Sequence, residues 1–179
     1  MSQRNTLVRS LHDLGAAAWF GGTLMGAVGL NGGTAAAREP SERLRLSSVG
    51  WAKWAPVQWA GIVAHGIGGV GLVLGNKGRL GTQPSSRSNT VLKTVVTGAA
   101  LGATVWSGLE GAVIAKHSDE GTRGVTEPGS GSSKALAAAQ KKQKLLQFAI
   151  PVLTGVIIVM GAQQGEQQRP LAGLLGWRR

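Results

Sequence analysis

Residues 54–74 read WAPVQWAGIVAHGIGGVGLVL, a run with no acid, lysine or arginine, whose one ionisable side chain is His65. A helix of roughly 20 such residues, rising 1.5 Å at each, crosses a hydrocarbon core about 30 Å thick. The tetrapeptide Gly75-Asn76-Lys77-Gly78 then stops the run with turn residues and a charge.

Three further stretches have the same character, at about 11–30, 91–114 and 145–162. The first closes at Asn31-Gly32-Gly33. The chain of 179 residues therefore reads as a single all-α domain over 1–179, an integral membrane four-helix bundle in the cell membrane. The first stretch is too long, and too rich in Trp19, Phe20 and glycine, for a signal-peptide core.

Composition agrees. The formal net charge of +11 would suit nucleic acid, but the basic residues crowd the segments between apolar runs instead of forming one face. Nucleic acid is accordingly not an expected partner, and the lipid bilayer is. With 29 glycines, two phenylalanines and no tyrosine, a water-soluble core would be hard to fill, whereas membrane helices exploit small residues to approach closely. No cysteine is present, which removes thiolate metal sites. Basic residues, among them Arg4, Arg169, Arg178 and Arg179 near the ends, divide almost evenly between the two sides, so orientation stays open.

The connections differ. Between the first two spans, Pro40-Ser41-Glu42 resembles a helix start, and RLRLSSVGWAKWA (43–55) mixes basic and apolar residues as an interfacial helix would. The segment at about 117–133 is poor in apolar residues and rich in glycine and reads as a flexible loop, of which Gly121 to Ser133 is expected to be dispensable. From Ser133 the chain should be helical into the last span, with Lys141, Lys142 and Lys144 reaching the headgroups.

Several residues stand out. Gly22-xxx-Gly26, Gly71-xxx-Gly75 and Gly98-xxx-Gly102 are helix-packing patterns. Trp19 shares a helical face with Gly15, Gly22 and Gly26. Counting 1.5 Å per residue from the N-terminal side puts Trp19 and His65 both at roughly 12–14 Å. The two are expected side by side, with a neutral His65 bonded to a threonine. An ionisable group at that depth is either a satisfied structural histidine or a functional one. Asp13 should pair with Arg9 or Lys93, and Glu110 with Lys53. The same count puts His12 at one surface and His117 at the other. No two histidines then share a depth, which argues against bis-His heme.

The stretch from His12 through Gly15–Ala18 to Trp19-Phe20-Gly21-Gly22 resembles the first helix of the copper-resistance protein D (CopD-like) superfamily and related small bacterial membrane domains. The likeness covers about twenty residues. It implies a four-helix membrane unit, alone or within a larger bundle, and copper handling with His12 as the candidate. No cofactor follows from the residues themselves, and no enzyme motif is visible. A structural or accessory membrane subunit, packed against itself or a larger complex, is the leading expectation. A small transporter or metal-handling protein using His12 or His65 is the alternative.

Overall fold

The computed structural model describes residues 6–166, and the terminal arginines Arg4, Arg169, Arg178 and Arg179 lie outside them. It is 85% helical. Helix α1 covers Thr6–Met25, passes through a π-helical turn at Gly26–Leu30, and resumes as the short α2, Asn31–Ala35. Helix α3 spans Pro40–Gly75, α4 Lys77–Thr82, α5 Pro84–Lys116 and α6 Lys134–Glu166. Two short strands, β1 (Thr122–Gly124) and β2 (Glu127–Pro128), form an antiparallel pair between α5 and α6. Pro40 and Pro84 open their helices, where a missing N–H costs nothing.

Among the described residues three helical segments are long and apolar enough to cross a membrane: Pro40–Gly75, Arg87–Lys116 and Lys134–Gly165. The sequence reading counted four. Helix α1 falls short because its first turns carry Arg9, His12 and Asp13, and because alanine and glycine contribute little hydropathy. Its course is nonetheless that of a bundle member. Val8 lies against Gly71, His12 against Gly68 and Gly15 against Gly61, while the rings of Trp54 and Trp51 cover Gly22 and Gly26. Numbers rise on α1 as they fall on α3, so the two are antiparallel. On α5 and α6, Lys93 meets Gly161 and Ser107 meets Gln143, again antiparallel.

Two other expectations are corrected. Asn31-Gly32-Gly33 does not end the first helix, and no separate interfacial helix follows it. Residues 43–55 are instead the first turns of α3, whose 36 residues measure about 54 Å. That is longer by several turns than a hydrocarbon core about 30 Å thick, and the extra turns of α3 and α6 build a head at one end of the bundle. There Leu44, Ile114, Val125, Leu136 and Ala139 form one apolar core, separate from the core of Trp19, Ala100, Ile150 and Ile157 between the helices.

The segment at 117–133, read as flexible and dispensable, is a docked hairpin. Its polar residues hold it where an apolar count sees nothing. The fully buried Gln140 amide donates to Thr122 Oγ1 and to the carbonyls of Gly124 and Val125, at 2.9–3.0 Å. Arg43 of α3 donates to the carbonyls of Ala37, Thr122 and Arg123. Ser133 caps α6 by accepting the Leu136 N–H, and the Glu120 carboxylate accepts the Ser133 N–H at 2.6 Å.

Candidate functional site: a paired-histidine cleft

His12 and His65 are brought together by the glycines around them. A Cβ on Gly15 would run into the Gly61 carbonyl and the His65 backbone, and one on Gly68 into the backbone of His12 and Val8. Only glycine permits this approach. At the crossing the two imidazoles stack, with ring centroids 4.0 Å apart and planes 26° from parallel. Each ring reaches across to the other helix. His65 Nδ1 donates to the His12 carbonyl at 2.9 Å, and His12 Nδ1 donates to the His65 carbonyl at 3.3 Å. A carbonyl only accepts, so both Nδ1 atoms carry the proton, and a neutral ring then has its lone pair on Nε2.

The depth count had separated His12 from His65. It failed because it started at the apolar edge of the first span, whereas α1 begins at Thr6 and His12 already lies inside the helix. His12 is buried, as is His65. The separation in depth therefore no longer argues against heme; the geometry does. Two axial ligands must point at one iron from opposed sides, and rings stacked face to face do not.

Trp19 stands edge-on to His65, centroids 6.3 Å apart, and is among the most buried side chains of the bundle. The threonine expected beside His65 belongs to the indole instead. Trp19 Nε1 donates to Thr104 Oγ1 at 3.1 Å, and the Thr104 hydroxyl donates on to the Ala100 carbonyl.

Beside the histidines opens a cleft of about 420 Å³, at the end of the bundle where α1 starts and α3 finishes. Arg9, Asp13 and Lys93 line it, with apolar walls from Val70 and Val73. Lys93 is 8% exposed, and its ammonium has no hydrogen-bond or ion-pair partner among the described residues. Asp13 is exposed at the rim and forms no ion pair with Lys93, though the two lie near enough to interact through space. Arg9 and Lys93, the two partners expected for Asp13, line one cleft with it.

The other candidates are dispersed. Glu110 is 2.9 Å from Lys142 and accepts the Trp106 indole N–H at 2.8 Å, so its partner is on α6 rather than Lys53. Gly22, Gly26 and Gly71 sit under Trp54, Trp51 and Val8 as packing residues, and Gly75 closes α3, exposed. Gly98 and Gly102 have nothing within 4 Å of a Cβ, so they pack against no helix among the described residues.

Sequence reasoning missed Asn31. Its amide donates to Gln147 Oε1 at 3.0 Å, and its carbonyl oxygen accepts from Ser47 Oγ and Trp51 Nε1, both at 2.9 Å. One side chain thus ties α2 to α3 and α6. The signal was present in an asparagine beside an apolar span, but its neighbouring glycines made it look like a breaker. A comparison with protein-family models, curated proteins and solved structures finds no match.

Proposed function

We propose that this chain is a multi-pass cell-membrane protein in which all four long helices cross the bilayer, serving as a structural or accessory subunit that packs against a second copy or a larger complex. One observation carries the reading. Val91, Val95, Gly98, Gly102, Val105 and Leu109 lie along α5 at spacings of 4, 3, 4, 3 and 4, and every one is exposed. This is an apolar stripe with a shallow glycine notch at its centre, the form a neighbouring membrane helix fits.

The absence of cysteine makes the test direct. Single cysteines at Val95 and Val105 should cross-link to a neighbour in native membranes, and Gly98→Ile with Gly102→Ile should abolish the product. Cross-linking that survives the double substitution rejects the stripe as the contact. Reporters at the two ends and in residues 76–89 test the four crossings, since ends on opposite faces are incompatible with an even number.

The metal-handling alternative, with copper from the CopD-like resemblance, is less well supported. Among the described residues no three His, Cys, Asp or Glu side chains gather as ligands. With both Nδ1 atoms bonded to carbonyls, each ring has only Nε2 to offer as a ligand atom.

A further inference from the structure

We infer that the cleft beside the histidine pair binds an anionic amphiphile, a carboxylate or phosphate head on an acyl chain, with Lys93 as the group that receives the head. An ammonium that faces a cleft with no protein partner is held by water alone, which an anion can replace with a charge-assisted hydrogen bond. Lys93 is 8% exposed and none of the described residues pairs with it, while its side chain lines a cleft of about 420 Å³. That volume is within the range of small-ligand sites. Arg9 and Asp13 line the same space, so the cleft is polar at the Lys93 end.

The walls define the rest of the ligand. Val70 and Val73 line the cleft and are also exposed on the outer face of α3, at 61% and 43%. The cleft thus opens sideways onto the surface that would meet lipid tails. A free inorganic anion would use the cations and leave this wall idle, whereas an acyl chain uses both. The source of the amphiphile rests on the membrane placement proposed above. The site is independent of the α5 stripe, because Lys93 and Thr97 leave α5 from another side than Gly98 and Gly102.

The test uses the full chain in a non-ionic detergent, with radiolabelled oleate as the probe. Uptake should saturate at one oleate per chain. Dodecyl phosphate should compete, whereas oleyl alcohol, which lacks the charge, and acetate or inorganic phosphate, which lack the chain, should not. Lys93→Met should weaken binding about tenfold or more, and Lys93→Arg less than about threefold, as the loss or retention of one charged contact implies. Gly66→Leu should also block uptake, because Gly66 lines the cleft with open space around it. Non-saturable uptake, displacement by oleyl alcohol, or displacement by acetate or phosphate at oleate concentrations overturns the inference. So does unchanged binding in folded Lys93→Met. Should that variant fail to fold, Gly66→Leu and the competitors decide. Failure of the four-crossing topology would appear in the reporter fusions and leave this binding result standing.

Discussion

His12 and His65 exchange hydrogen bonds reciprocally, each ring donating to the backbone carbonyl of the other residue across the α1–α3 crossing. The carbonyls belong to helical backbone, so the bonds add to the helices without replacing their own. The pair therefore acts as a clasp. Substituting either histidine with alanine should lower stability by about 1–2 kcal/mol. The double substitution should cost less than the sum, because each single change already opens the stack. Denaturation of the purified protein in detergent gives the three numbers. Strict additivity would mean the rings do not act together.

Thr104→Val strands the buried Trp19 N–H, while Trp19→Phe leaves Thr104 still bonded to Ala100. A stranded donor costs about 1–3 kcal/mol, and measured couplings between membrane helices average about 0.6 and reach about 1.7 kcal/mol. A cycle of Trp19→Phe, Thr104→Val and the pair should show coupling in that lower range. A coupling of zero would show that the indole finds another acceptor.

The glycines should divide sharply. Gly15→Ala places a methyl against the Gly61 carbonyl and the His65 backbone, which cannot yield as a flexible side chain does. It should destabilise the monomer by about 2–3 kcal/mol, the upper part of the overpacking range. Gly98→Ala meets nothing within 4 Å and should leave the monomer unchanged or stabilise it by up to about 1 kcal/mol through helix propensity. Equal effects at the two sites would contradict the described crossing.

Gln140→Leu should free the hairpin without melting the bundle. Three acceptors, on Thr122, Gly124 and Val125, lose their shared donor. Trypsin cleavage at the exposed Arg123 should then accelerate, while the core amides of α1 and α3 keep their hydrogen-exchange protection. Replacing residues 121–133 with a flexible linker should do more damage, because it also removes Val125 from the head core.

Acid should loosen the same region. The Ser133 backbone N–H and, after it, His117 and the Ser133 side chain hold the Glu120 carboxyl below its ordinary value. A folded-state pKa below the unfolded one gives stability that is present above the unfolded pKa and fades as pH falls through the folded one. Cleavage by an acid-active protease near 117–133 should therefore rise on acidification below the usual carboxylate range, and Glu120→Gln should remove that dependence. An unchanged pH profile in Glu120→Gln would assign the effect elsewhere.

The sequence made the apolar helices legible because hydropathy is local, and it placed Trp19 near His65 because both could be counted along their helices. It misplaced His12 because the helix extends into residues that hydropathy does not reward. The hairpin and the Asn31 junction were hidden for a related reason. Gln140, Arg43, Asn31 and Gln147 act over long sequence separations through hydrogen bonds, and no periodicity records such partners. Gly98 and Gly102 carried a packing motif without saying whether the neighbour was internal.

The π-helical turn at Gly26–Leu30 has a consequence for the spacing of the whole first helix. The Asn31 N–H bonds the Gly26 carbonyl, five residues back, so these two residues nearly share a face. In an unbroken α-helix, five residues would leave them well over a quarter-turn apart. Gly26 lies under the Trp51 ring, and Asn31 accepts that ring's N–H. The extra residue thus resets the helical phase so that one tryptophan meets both. Deleting Val28 would remove no polar side chain, yet it would swing everything beyond it by about 100°, as one α-helical residue does. The head would lose its alignment with the cleft by a change in length that no point substitution reproduces.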